Sequence, residues 1–240
     1  MNTIESEASP ALEPHVARVL ETMRIPDCGL LVWLDAETGA DLLAGRGNPF
    51  KLHGLFWPVE RGNPLIPEKV RHRVTADKNE YVVWTAKEEA TGPRVGLTVI
   101  LAHELRHLEH RLFDANLYYA GSLILPYLLW RMLNGNLRSV LEDPFEDDAH
   151  ARAREIAELI HGDEETRAHY RGVRWYRFLN RRPVPPLGEL VLQIRTFLER
   201  EREDIRKLLR DVGPSGTEAR GLFERVDWRA FGLPEFAALA

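Results

Sequence analysis

The chain is poor in cysteine, in charge of one sign and in long apolar runs, and each shortage removes a class of protein. Cys28 is the single cysteine among 240 residues, so neither an internal disulfide nor a thiolate zinc site can form. It sits in the apolar run Cys28-Gly29-Leu30-Leu31-Val32-Trp33, where a buried, inert thiol is expected. The formal net charge is only −5, so nothing global directs the chain to nucleic acid or an anionic membrane. The longest uncharged stretch, Ala115 to Trp130, contains Pro126 and falls short of the ~20 residues that span a bilayer. Met1-Asn2-Thr3-Ile4-Glu5-Ser6-Glu7 has no basic region followed by an apolar core, so no secretory signal is read there. The expectation is a cytoplasmic protein with no membrane span and no nucleic-acid partner. The sequence has no internal repeat and no low-complexity tract.

With 44% hydrophobic residues and its 15 Pro and 17 Gly spread along the chain, the composition is that of an ordinary globular protein. Leu12, Val16, Val19, Leu20 and Met23 recur at helical spacing and predict a helix over 10–24, stopped by Pro26. Residues 28–34 and 80–85 read as strands from their β-branched and aromatic content. Between 45 and 68 four Pro and four Gly mark loop. Gly92-Pro93 opens a predicted helix over about 94–112, and a second, apolar on most sides, covers about 120–134 to Asn134-Gly135. Pro144 is placed as the first residue of a helix to about 160, closed by Gly162. Residues 163–179 read as mixed helix and loop. Arg181-Arg182-Pro183-Val184-Pro185-Pro186 is the clearest hinge. Beyond it a charged amphipathic helix over 187–211 carries Leu190, Ile194, Phe197, Leu198, Ile205, Leu208 and Leu209 on its apolar side. The sum is an α+β, mostly α-helical protein with a small sheet: a domain over 1–180 and a C-terminal helical extension over 187–240. The amphipathic helix is a surface that a protein partner could use.

One pentapeptide carries chemistry: His103-Glu104-Leu105-Arg106-His107. Imidazoles at i and i+4 lie on one face of a helix, about 6 Å apart along the axis, and can converge on one ion. Glu104, next to the first histidine, can take a proton from zinc-bound water. The preceding turn, Val99-Ile100-Leu101-Ala102, places the histidine face in a buried setting, which an exposed helix does not need. His110 stands seven residues past His103, ~10 Å along the axis, beyond reach of the same ion.

A third ligand must come from elsewhere in the chain. The acidic segment Glu142-Asp143-Pro144-Phe145-Glu146-Asp147-Asp148-Ala149-His150 offers several. Phe145, Ala149, Ala153, Ile156 and Ile160 form the apolar stripe of the helix that begins there. Glu146 borders this stripe and has the longer reach, so it is chosen, with Asp148 next and Glu142, Asp143 and Asp114 behind it. Ala149 and Ala153 leave room for the close helix–helix approach that a bridging zinc requires.

With this downstream helix, residues 80–161 resemble the zincin-like metallopeptidases of the gluzincin kind. They are most similar to small bacterial zincin domains in which His-Glu-Leu-x-His precedes a Pro-x-Glu-x-acid-Ala helix. Phage-repressor-cleaving zincins carry a comparable Glu-x-x-Ala element. The chain departs from the extended pattern at Arg106 and Glu109, where uncharged residues are preferred. The resemblance implies a zincin-like core, one Zn2+ per chain held by His103, His107 and Glu146, Glu104 as general base, and a protein or peptide substrate. A donor for the oxyanion is left open among His150, His169, Tyr118, Tyr170 and Tyr176, and partners for the ligand imidazoles among Asp147, Asp148 and His150. The alternative reading is a zincin-shaped scaffold that binds zinc without cleaving peptides.

Overall fold

A computed structural model describes residues 1–37, 53–59, 68–74, 79–135, 143–172 and 183–239. The chain divides into two compact units, Met1–Leu108 with Ala149–Arg182, and Glu109–Asp148 with Pro183–Ala240. The fold is α+β and mostly helical, with one four-stranded sheet among the described residues. None of the described helices is long and apolar enough to cross a membrane.

The sheet belongs to the first unit. β1 (Thr3–Ser6), β2 (Leu30–Leu34), β3 (Gly54–Pro58) and β4 (Tyr81–Thr85) lie in the order β1-β2-β4-β3. β1 and β4 run parallel to β2, and β3 runs antiparallel to β4. β2 and β4 are buried at every position, as central strands covered on both faces must be. Leu31, Trp33, Val82, Trp84 and Trp57 share one face and form a core with Val70, Val74 and Ala86. Asp35, buried just past β2, accepts the Trp84 indole N–H at 2.9 Å, which satisfies a donor that burial would otherwise orphan.

β3 falls within the segment read from sequence as loop. Gly54 and Pro58 bound it, and those breakers hide a strand of Leu55, Phe56 and Trp57 that an edge position tolerates. β1 carried no sequence expectation; its short Thr-Ile-Glu-Ser is recruited by pairing to β2. Cys28 is half-buried, not fully enclosed. It lies beside Asp27 in the connection to β2, and burial pushes its thiol up, assisted by Glu80 and Asp27.

α1 (Glu13–Met23) follows a 3-10 turn at Pro10–Leu12. α2 (Glu68–Arg73) and α3 (Lys87–Thr91) are short; α4 (Arg94–Phe113) is long. α4 buries Val95, Leu97, Val99, Leu101, Ala102, Leu105 and Leu108, and with them the polar Thr98, His103, Glu104, Arg106, His107 and His110, so it is enclosed on most sides without being apolar on all of them. The helix expected over 120–134 is two, α5 (Ala115–Ser122) and α6 (Ile124–Leu133). Asp114 starts α5 by accepting from the Asn116 amide at 2.8 Å. Pro126 can sit only in a first turn, so a new helix begins just before it.

α7 (Pro144–His161) and α8 (Asp163–Gly172) follow, with Gly162 between them at φ +85°, the left-handed stop expected of a C-terminal glycine. The boundary between the units falls within α4 and within α7, so each of these helices supplies residues to both.

The second unit joins residues 109–148 to the C-terminal segment, where α9 (Leu187–Arg210) and α10 (Pro214–Phe223) lie. The whole apolar side of α9 named above is buried, with Phe197 edge-on to Tyr127. That face is therefore buried within the chain. Arg131 and Tyr127 both donate to Glu201 of α9, at 2.6 and 2.5 Å. Trp228 stacks on Phe236, lies tilted to Phe223 and meets Phe231 edge-on.

Candidate metal centre

His103 and His107 lie one turn apart on α4, both nearly enclosed at 8% and 7% exposure. Their Nε2 atoms are 3.2 Å apart with the rings edge to face. Two nitrogens bound to one tetrahedral zinc at ~2.0–2.1 Å would be separated by about 3.4 Å. The pair therefore has the spacing of a chelate. Glu146, on the first turn of α7 and half-buried, completes a group whose ligand atoms all lie within 4.8 Å of one another. Two imidazoles and one carboxylate suit zinc, and three protein ligands leave a position for water.

Each of the other acids considered from sequence has a different task or lies outside the described residues. Asp143 caps α7, its Oδ1 accepting from the amides of Phe145 and Glu146 at 3.1 Å each. Burial and then the neighbouring Glu146 charge push its carboxyl up to about 8. Asp148 is buried and bonded to His110, Oδ2 to Nε2 at 2.7 Å. Asp114 caps α5. Glu142 lies outside the described residues. Asp147 is half-buried on α7, and its amide donates to the Asp143 carbonyl at 2.8 Å.

The start of α7 is fixed by close packing. A Cβ at Gly121 of α5 would come within 2.3–2.6 Å of three Phe145 ring carbons. The same ring lies 4.6 Å from His110 and 6.3 Å from Tyr118. Glu146 thus follows a residue whose ring has no spare room.

Glu104 is 8% exposed and packs against the first residue of β3: a Cβ on Gly54 would meet its Cγ at 3.0 Å and its Oε1 at 3.1 Å. Among the proposed oxyanion donors, His150 is beside the pair, its ring 4.3 Å from that of His103. His169 packs over Gly96, eight residues or about 12 Å along α4 from Glu104. Tyr118 is packed against Tyr119 and Phe145. The ring of Tyr170 lies under the Arg154 guanidinium at 5.8 Å, and burial pushes its hydroxyl up to about 12. Tyr176 lies outside the described residues.

One feature escaped the sequence reading: Gly54 as the neighbour of Glu104 has no local signal, because pairing with Thr85, 31 residues later, delivers it. Comparison with family models, with curated proteins and with solved structures gives no match.

Proposed function

We propose that this chain is a zinc-dependent hydrolase of the metallopeptidase type, acting in the cytoplasm on a protein or peptide substrate. The observation that carries the reading is the 3.2 Å approach of the His103 and His107 Nε2 atoms with Glu146 beside them. His103, His107 and Glu146 hold one zinc. When bound, the metal supplies a water acidified toward a pKa of ~7 and a Lewis acid for the carbonyl. Glu104 accepts the water proton and passes it to the leaving amine. Its near-complete burial keeps that carboxylate dry, where electrostatic effects are stronger than in water. The His150 ring, against His103, donates toward the oxygen that gains charge. The test is cleavage of a denatured-protein or peptide-library substrate by the zinc-loaded chain beside Glu104→Gln. The reading expects turnover in the first and, with zinc retained, loss of at least a hundredfold in the second. Equal cleavage by both would exclude Glu104 as the base.

The His150 contact also favours a second reading, a zinc scaffold without peptidase activity. A third imidazole, its ring 4.3 Å from that of His103, could close the coordination shell as a fourth ligand, as in structural zinc sites. His150→Ala separates the two: zinc affinity falls sharply if His150 is a ligand and is retained if it is a donor.

A further inference from the structure

The bond between His110 and Asp148 lies outside the ligand group, yet its position along both helices matters. His110 stands three residues beyond His107 on α4, and Asp148 stands two residues beyond Glu146 on α7. Both side chains are enclosed, at 0% and 1% exposure, with Nε2 and Oδ2 2.7 Å apart. We propose that this bond sets the register of α7 on α4 and makes His110 and Asp148 positioning residues for metal capture. The inference rests on the metal reading above.

Apolar contacts between helices are non-directional, so neighbouring registers differ little in buried area. A slip of one residue moves a helix by about 1.5 Å along its axis. Metal bonds are held to within about 0.2 Å, so a slip of that size separates Glu146 from the histidines. The His110–Asp148 bond at 2.7 Å is lost over the same slip, leaving two enclosed polar groups without their mutual partner, which is strongly unfavourable. Like the close packing of Phe145 on Gly121, this contact changes in energy on the length scale that the metal requires. Glu146 and Asp148 sit within one turn of α7, so fixing the second fixes the height of the first.

The experiment titrates the full-length, metal-free protein with Co2+, reading affinity and the visible ligand-field spectrum. It compares wild type with His110→Leu, His110→Gln, Asp148→Asn and the nearly volume-conserving His110→Leu/Asp148→Ala. Gln keeps an N–H for Asp148, and Asn keeps an oxygen for His110, so both should bind Co2+ within about threefold of wild type. His110→Leu should lose roughly 10–100-fold, the range for groups that orient metal ligands, with an altered spectrum. The double variant decides the matter. It removes both buried polar groups and should recover thermal stability, yet remain weakened at least tenfold in Co2+ affinity. If its affinity recovers together with its stability, the pair is merely structural and the proposal is overturned. If Asp148→Asn alone abolishes binding while His110→Leu does not, Asp148 is a ligand and the proposal is again overturned. A wild-type chain that binds no Co2+ overturns the metal reading itself, and the inference with it.

Discussion

Gly121→Ala is a single-methyl test of how tightly the start of α7 is held. In a helix interior this change ordinarily stabilises by about 1 kcal/mol, because alanine loses less backbone entropy. Here the new Cβ would stand 2.3 Å from Phe145 Cδ2 and 2.6 Å from Cε2 and Cγ. The ring must retreat by about 1.2–1.7 Å to reach ordinary contact at ~3.5–4.0 Å. Cγ is fixed by the backbone through Cβ, so rotation about χ1 and χ2 cannot relieve all three overlaps. Phe145 is 3% exposed and has His110 on another side, so the first turn of α7 must shift. That places the overpacking cost near the upper end of its usual range, ~3 kcal/mol, and the net effect near 2 kcal/mol destabilising. For a chain of this size Tm should fall by about 4–8 °C, followed by calorimetry or by circular dichroism at 222 nm. Gly221→Ala on α10, where nothing lies within 4 Å of the added Cβ, is the control and should raise Tm by up to about 4 °C. A Gly121→Ala protein at least as stable as wild type would refute the packing argument.

Three further outcomes follow from the electrostatics and the site. His15 and His161 both approach the buried Thr98 hydroxyl, at 2.9 and 2.8 Å. Burial depresses both pKa values below the ordinary 6.5, with repulsion from His161 and Arg94 added at His15. The fold therefore prefers them neutral: stability is complete above pH ~6.5 and declines as pH falls below it. Urea midpoints from pH 8 to 5 should show this fall, and His15→Gln/His161→Gln should reduce it; an unchanged slope in the double variant would contradict the assignment. At Asp143 the sign reverses, because the folded carboxyl is raised to about 8 from 3.8. In metal-free protein its contribution is lost as pH rises through that window. Asp143→Asn keeps an oxygen for the Phe145 and Glu146 amides, so it should match wild type near pH 4 and exceed it at pH 9. Equal midpoints at pH 9 would show that the buried charge is not costly. Gly54→Ala should lower any peptidase turnover with zinc retained, since its Cβ would stand 2.6 Å from Ile100 Cγ2 and 3.0–3.1 Å from the Glu104 side chain; zinc loss in this variant would contradict the placement.

What the sequence made legible is what short-range periodicity encodes. The strand of 81–85, the helix of 94–113 and the helix of 144–161 were expected to within a residue or two, because Pro93, Pro144 and Gly162 mark their ends. The i, i+4 histidines could be read as a pair for the same reason. Glu146 was selected by its place beside the Phe145–Ala149–Ala153 stripe, which is again local. Long-range pairing was not legible. β3 lies between Gly54 and Pro58 and becomes a strand only through β4, and β1 needs β2. The task of Asp148 was likewise hidden, because nothing in its neighbours says that His110, 38 residues earlier, will meet it.

The central claim is tested most directly by elemental analysis of the purified full-length chain, wild type beside Glu146→Ala. The account predicts about one zinc per wild-type chain, as for a single-ion site, and little or none in the variant, with both proteins equally folded. A wild-type chain that holds no metal after zinc is supplied, or a variant that holds it as tightly, would contradict it.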